Sequence, residues 1–486
     1  MNIMKKQALN PYLPNYEYIP DGEPHVFGDR VYVYGSHDRF GGNAFCMNDY
    51  VCWSAATDDL GNWHYEGVIY RKTQDPRCKE DSYMYAPDVT RGPDGRYYLY
   101  YTLDFEGTMA VAVADSPAGP YAYYGRVRTP DGQIIGDRAG DVYQYDPGIL
   151  VDDDGCVWLY SGFSSSGALR EKLLAECPRL MDGAYCMELE QDMLTVKSKP
   201  KCIIPWKENA VKTPFENIGF FEASSIRKIG ALYYFVYSSQ WLHQLCYAVS
   251  KYPDRDFVPG GVLVSNGDIG TEDWTQECSA NYYNNNHGGM VQIRGQWYIF
   301  YHRHTNYSSY SRQGCAEKLT IAPDGSIRQT ELTSCGLNEG DLWGQGTYPA
   351  AIACHLYSKD GACNNRYLKE SKEKHPAFTQ EGTDQEETEN QYITNLRTGS
   401  TAGFRYFDLS KTTGIQVKVR GSAGTIQVLD GKHGKTLAEI SCEASNAFRS
   451  YSASLIGGHR HSALYFVFCT EGAMDFLDLT LSTESR

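Results

Sequence analysis

The sequence predicts an all-β protein: a five-bladed β-propeller over residues 1–338, then a β-sandwich of jelly-roll type over residues 339–486. Three observations predict this. One segment, ending in a run of aromatics, is written five times between residue 15 and about residue 335. The character of the chain changes after about residue 338, and all 8 Trp lie at or before Trp343. Short strands of alternating polarity fill the remainder.

The five copies open at Asp21, Ala86, Asp146, Glu222 and His287. Each runs through a few apolar residues to a Gly-containing turn and then to an aromatic strand, as in Val89-Thr-Arg, Gly92-Pro-Asp-Gly, Tyr97-Tyr-Leu-Tyr-Tyr. Gly and Pro supply the backbone angles of the reversal, so each copy reads as a hairpin. A weaker strand–turn–strand motif follows most copies, as at Val111-Ala-Val-Ala-Asp-Ser-Pro and Tyr247-Ala-Val-Ser-Lys-Tyr-Pro. Each unit therefore has about four strands, and four-stranded units repeated around an axis make a propeller. The spacing of roughly 60–75 residues exceeds that of a WD-type blade (~40–45), which puts the surplus in loops.

Beyond residue 338, the stretch 366–392 is rich in Lys and Glu and reads as a solvated, mobile segment or a long loop. Strands follow at Gly403-Phe-Arg-Tyr-Phe-Asp, Gly414-Ile-Gln-Val-Lys-Val-Arg, Gly424-Thr-Ile-Gln-Val-Leu-Asp, Ser462-Ala-Leu-Tyr-Phe-Val-Phe and Asp475-Phe-Leu-Asp-Leu. Period-2 alternation with regular turns predicts a sandwich.

Composition narrows the function. A net charge of −15 argues against a nucleic-acid partner. The 39 Tyr suit strands, and flat amphipathic rings also stack on sugars. No stretch approaches a membrane span, and the N-terminus has no apolar core of a signal peptide, so a cytoplasmic location is expected. The 15 Cys show no Cys-x-x-Cys spacing and read as reduced, mostly buried thiols rather than zinc ligands.

In a propeller the first strand of each blade lines the axis, so the five opening residues converge. That brings Asp21, Asp146 and Glu222 together with His287. Glycosidic cleavage needs such a set: one carboxylic acid protonates the leaving oxygen and a carboxylate deprotonates water on the opposite ring face. A third anion raises the acid's pKa. Simpler readings exist. Asp-Gly and Asp-Pro are common turn pairs, and Glu23 is a rival base to Asp21. His37 and Asp38 end the first aromatic strand and read as blade caps. Asp152–Asp154 read as a solvated turn.

The ordered set resembles glycoside hydrolase family 43. The matching motifs are Pro20-Asp21-Gly-Glu-Pro with Tyr34-Gly-Ser-His-Asp38, Tyr85-Ala-Pro-Asp88, Tyr145-Asp146-Pro-Gly, Phe221-Glu222-Ala-Ser and Asn286-His287-Gly-Gly. The resemblance implies Asp21 as general base, Glu222 as general acid and Asp146 as the residue that tunes and orients the acid. It implies inversion at the anomeric carbon, His287 and Arg312 as substrate-binding residues, and no cofactor for the chemistry; Tyr85, before Ala86-Pro87 and beside the axis, reads from its position as a substrate-binding ring that stacks on a sugar. It also implies a structural calcium ion by His287, near the axis. The C-terminal strands resemble a family 6 carbohydrate-binding module, although the domain has no Trp after Trp343. The expected activity is release of α-L-arabinofuranosyl or β-D-xylosyl residues from plant cell-wall arabinoxylan oligosaccharides. A β-xylosidase without arabinofuranosidase activity and a non-catalytic sugar-binding propeller are the alternatives. Retaining fructosidases fit less well, because Asp146 follows Tyr and not Arg.

Overall fold

The computed structural model describes residues 6–363, 372–387 and 390–483. Four antiparallel sheets of four strands and one of three follow one another along the chain. The first blade is β1 (Glu23–Phe27), β2 (Arg30–Tyr34), β3 (Tyr50–Ala56) and β4 (His64–Tyr70). The second is β5 (Asp88–Arg91), β6 (Tyr97–Tyr101), β7 (Ala110–Ala114) and β8 (Ala122–Arg126). The third is β9 (Gly148–Val151), β10 (Val157–Ser161), β11 (Gly183–Leu189) and β12 (Lys201–Pro205), with helix α1 (Gly167–Glu176) inserted after β10. The fourth is β13 (Phe220–Ile229), β14 (Leu232–Ser239), β15 (Leu245–Ser250) and β16 (Val258–Val264).

Among the described residues, the fifth blade has three strands, β17 (Met290–Ile293), β18 (Gln296–His304) and β19 (Arg312–Leu319), which corrects the expectation of about four strands in each unit. The N-terminal segment docks on its outer edge. Tyr12 N–H donates to Gly314 O, and the Asn10 side-chain amide both donates to Ala316 O and accepts from Ala316 N–H. Pro11 has no N–H to give, so the Asn10 side chain stands in for strand pairing. Blades one and five also join at the axis, where Gly22 bridges Gly288 and Gly289 N–H donates to Gly22 O. A Cβ on Gly288 would lie 1.9 Å from Phe300 O, so the backbones approach this closely only with glycine there.

The propeller core is divided into wedges between successive blades. One wedge packs Tyr34, Tyr50 and Tyr70 of the first blade on Val89, Leu99 and Tyr101 of the second. The next packs Tyr98 and Val111 on Ile149 and Leu159. The Tyr-rich second strands bury their rings here, and their hydroxyls reach fixed partners. Tyr34 donates to Pro117 O, Tyr100 to Met193 O, Tyr160 to Pro253 O and Tyr101 to Asp75. That is why the runs are Tyr and not Phe: a buried ring supplies apolar area while its hydroxyl ties one loop to another.

The sandwich has two six-stranded sheets. The first contains β20 (Leu342–Trp343), β22 (His355–Tyr357), β25 (Thr401–Asp408), β27 (Gly424–Asp430), β28 (Thr436–Cys442) and β30 (Ser462–Thr470). The second contains β21 (Gly346–Pro349), β23 (Ala377–Gln380), β24 (Gln391–Leu396), β26 (Thr412–Gly421), β29 (Ser445–Ser454) and β31 (Met474–Thr483). Alternate residues such as Ile415, Val417 and Val419 point inward against Phe404, Phe466 and Phe476. Part of the charged stretch 366–392 is not loose: Ala377–Gln380 forms β23, paired with β24. Residues 364–371 and 388–389 lie outside the described residues.

A buried ionic cluster joins the domains. Arg405 of β25 donates to Asp268 Oδ2 at 2.6 Å and to Leu332 O, and its Nη1 lies 3.0 and 3.1 Å from Glu272 and Glu331. His355 Nε2 lies 2.9 Å from the same Asp268 oxygen, and its Nδ1 lies 2.8 Å from Tyr465 Oη.

Candidate active site

All five residues that open the repeats line one cavity of about 410 Å³: Asp21, Ala86, Asp146, Glu222 and His287. Tyr85 and Arg312 line it too, so the six site residues read from the sequence meet in one place. The volume lies within the usual ~300–1,000 Å³ of small-molecule sites.

Asp21 precedes β1 with φ of 58°, a left-handed conformation that Asp tolerates better than most residues. Its Oδ1 accepts a 3.0 Å bond from Arg312 Nη1 and lies 3.2 Å from His302 Nδ1. Burial alone would raise this carboxyl. The Arg312 guanidinium and His302 outweigh it and hold Asp21 well below the usual carboxylate range. Arg312 is itself buried, and Asp38 orients it: its Nε donates to Asp38 Oδ2 at 2.8 Å and its Nη2 to Oδ1 at 3.0 Å. Asp38 is thus no blade cap. It is the second anchor of the arginine that keeps Asp21 ionised. His37 does serve structure, through Glu17 at 2.9 Å. Glu23, the rival base, is fully buried against Arg227 at 2.9 Å and is not part of the cavity lining.

Glu222 lies in β13 between two register shifts, one after Phe220 and one before Ser225. Such bulges re-aim a side chain out of the ladder, and here Ala223 carries the strain with φ of 70°. Asp146 also has positive φ, 46°, and its Oδ2 accepts Ala223 N–H at 3.1 Å. Burial, with Asp21 adding and Arg312 opposing, pushes Glu222 up to about 8. Burial, Glu222 and Asp21 raise Asp146 as well. The two therefore titrate as a pair. The proton belongs on Glu222, because the Ala223 amide stabilises the Asp146 anion and no described residue donates to the Glu222 carboxyl. The cavity thus presents an ionised carboxylate, Asp21, and a proton-bearing carboxyl, Glu222.

His287 lies 3.6 Å from Asp146 through Nδ1 and 3.9 Å from Glu23 Oε1 through Nε2. Burial lowers its pKa to about 4, so it is neutral near pH 7. Nε2 and Glu23 Oε1 are buried without partners among the described residues. The donors nearby do not fit a directly ligated calcium ion. Glu23 Oε2 is taken by Arg227 and Ser225, and Asp88 is taken by His25 at 2.7 Å and by the Val89 and Ile149 amides. Glu23, His25 and Asp88 do converge within 4.8 Å, but the Arg227 cation already stands at this cluster. Calcium takes six to eight oxygens. Among the described residues, the atoms left without a partner at this cluster are one carboxylate oxygen and one imidazole nitrogen.

The opposite wall is aromatic. Tyr145 packs on Phe163 at 4.7 Å and on Phe105 at 5.7 Å, and Tyr85 packs on Tyr145 at 5.2 Å. Phe45, Phe221, Tyr307, Tyr310 and His243 also line the cavity. Sequence reasoning named Tyr85 and missed most of the others. Phe105 and Phe163 follow the second strand of their blades. That strand is antiparallel to the first, so its end faces the opening residue, as Tyr160 pairs with Gly148. The positions just beyond each aromatic run carried the signal.

Comparisons with known proteins identify the family. The model of the glycosyl hydrolases family 43 matches residues 17–327. A xylosidase/arabinosidase of Thermoclostridium stercorarium is 48% identical over 99% of this chain and 100% of its own. An arabinoxylan arabinofuranohydrolase of family 43 from Bacillus subtilis has the same fold across both domains, with a TM-score of 0.51 at 19% identity, covering 99% of each chain. A β-xylosidase/α-arabinofuranosidase from a compost microbial metagenome, solved with xylotriose, aligns with a TM-score of 0.52 at 26% identity, over 67% of this chain and 98% of that one. The chain belongs to glycosyl hydrolase family 43 and is a glycosidase.

Proposed function

We propose that this glycosidase releases terminal pentosyl residues, α-L-arabinofuranosyl or β-D-xylosyl, from arabinoxylan-type oligosaccharides of plant cell walls, with inversion. One observation carries the reading: an ionised Asp21 and a protonated Glu222 share one cavity with an aromatic wall. Asp21 is the general base. It takes a proton from water as the water attacks the anomeric carbon. Glu222 is the general acid and gives its proton to the leaving oxygen. Burial and the Asp21 charge keep that proton on Glu222, and Asp146, held by Ala223 N–H, fixes the backbone next to the acid. The names of the relatives support pentosides of both kinds. The test is hydrolysis of nitrophenyl α-L-arabinofuranoside, nitrophenyl β-D-xyloside and arabinoxylan oligosaccharides. Release of pentose from at least one pentoside is expected, and activity confined to hexosides or fructosides overturns the reading.

In this reading Arg227 supplies the positive charge at the axis that a calcium ion would otherwise bring. Treatment with a chelator should leave kcat/KM and the thermal midpoint unchanged, and a calcium-restored loss of activity would contradict this. Arg312→Lys should lower kcat/KM by about 10²-fold, because one ammonium cannot hold Asp21 and Asp38 together as the fork does. Its acid limb should move to higher pH as Asp21 loses its partner. An unchanged acid limb in the pH–rate profile would count against the pairing.

A further inference from the structure

Two loops on one side of the cavity are held from outside the propeller. The connection from β2 to β3, residues 35–49, carries Asp38, Phe45 and Cys46. The connection from β18 to β19, residues 305–311, carries Tyr307 and Tyr310. The loops meet where Phe45 packs edge-on against Tyr310 at 4.7 Å, with the Arg312 guanidinium 4.9 Å from the Phe45 ring centre. Neither connection is a strand, so their backbone groups need other partners.

The sandwich provides them from one segment, residues 375–385. Asp384 reaches the first loop with both oxygens: Oδ1 accepts Phe40 N–H at 2.6 Å and Oδ2 accepts Asn48 Nδ2 at 3.0 Å. Gln380 Oε1 accepts the Tyr18 hydroxyl at 2.5 Å, and Tyr18 stacks on Phe40. On the second loop, Asn306 N–H donates to Phe378 O at 2.7 Å and the Tyr307 hydroxyl to His375 O at 2.8 Å. Asn306 and Tyr307 both have positive φ, 52° and 49°, a conformation that external contacts must maintain.

We propose that the sandwich segment 375–385 is a positioning element of the glycosidase site, fixing the Phe45–Tyr310 wall beside Arg312 and so setting how tightly the sugar is held. The segment touches the loops and lines no part of the cavity, so this is a different role from that of a sugar-binding module. The inference rests on the catalytic reading of the cavity, and the test separates the two.

Asp384→Ala frees the first loop without touching Asp21, Asp146 or Glu222. It should raise KM for a nitrophenyl pentoside about tenfold while kcat changes less than about twofold and the fall in rate near pH 8 stays in place. Asp384→Asn keeps the acceptor for Phe40 N–H and should recover part of the loss. Tyr18→Phe, which removes the hydroxyl bonded to Gln380, should shift KM the same way. Calorimetric binding of xylose, weakened about tenfold in Asp384→Ala, reads the wall even without turnover. Unchanged KM and xylose affinity in Asp384→Ala and Tyr18→Phe overturn the proposal, as does a fall in kcat alone. A wild-type protein that binds xylose but hydrolyses no glycoside overturns the catalytic reading instead, and leaves the binding comparison to decide this one.

Discussion

Glu222→Gln should reduce kcat on natural oligosaccharides by about 10²–10⁴-fold, the usual worth of a positioned general acid. The amide has the shape of the acid but no proton to give. The loss should depend on the leaving group. A nitrophenolate departs without protonation, so an aryl pentoside should retain far more of its rate than a xylo-oligosaccharide. The pH profile gives a second signature. Glu222 is pushed up to about 8 by burial and by Asp21, so the wild-type rate should hold through neutrality and fall as pH rises through about 8. Glu222→Gln has nothing to titrate there, and its basic limb should vanish. A variant that keeps the limb would place the acid elsewhere.

Arg405→Met should destabilise the protein by about 3–5 kcal/mol, the usual cost of leaving one member of a buried ion pair alone. Asp268 and Arg405 are both fully buried at the domain junction, and Arg405 also satisfies Leu332 O. The pH dependence follows from the sign of the Asp268 shift. Burial raises that carboxyl, but His355 and Arg405 outweigh burial and lower it. Its contribution is therefore present above the unfolded pKa of ~3.9 and is lost as pH falls through the lower folded value. Without Arg405 that stabilisation shrinks. Trp274, packed edge-on against His355 at 5.1 Å, offers a fluorescence probe for urea unfolding at this junction. Asp268→Asn added to Arg405→Met should restore part of the stability, since it removes the stranded charge. An unchanged urea midpoint in the single variant would show the cluster to be energetically idle.

The propeller was legible because its repeat states both fold and site. Turn glycines and Tyr runs mark the hairpins, and the first residue of each copy marks the axis. Asp21, Asp146 and Glu222 were therefore expected to converge, and they line one cavity although they lie 125 and 76 residues apart in the chain. Asp38 was misread because its partner, Arg312, is 274 residues away, and nothing local distinguishes a buried anchor from a strand-end cap. The three-stranded fifth blade was hidden for a similar reason: its outer edge is covered by Asn10 and Tyr12 from the far end of the sequence. The charged stretch 366–392 looked solvated by composition. Its Asp384 and Gln380 are instead spent on contacts with the propeller, and composition cannot show which polar side chains find partners. The calcium expected beside His287 depends on what surrounds that histidine, and Glu23 is brought between His287 and Arg227 only through the fold.

The most direct test of the account is the anomeric configuration of the pentose first released from a xylo- or arabino-oligosaccharide, followed by proton NMR before mutarotation. An ionised Asp21 that activates water on the face opposite Glu222 should give the inverted anomer. The retained anomer would mean that a carboxylate attacks the sugar directly, and would contradict the assignment of Asp21 as base and Glu222 as acid.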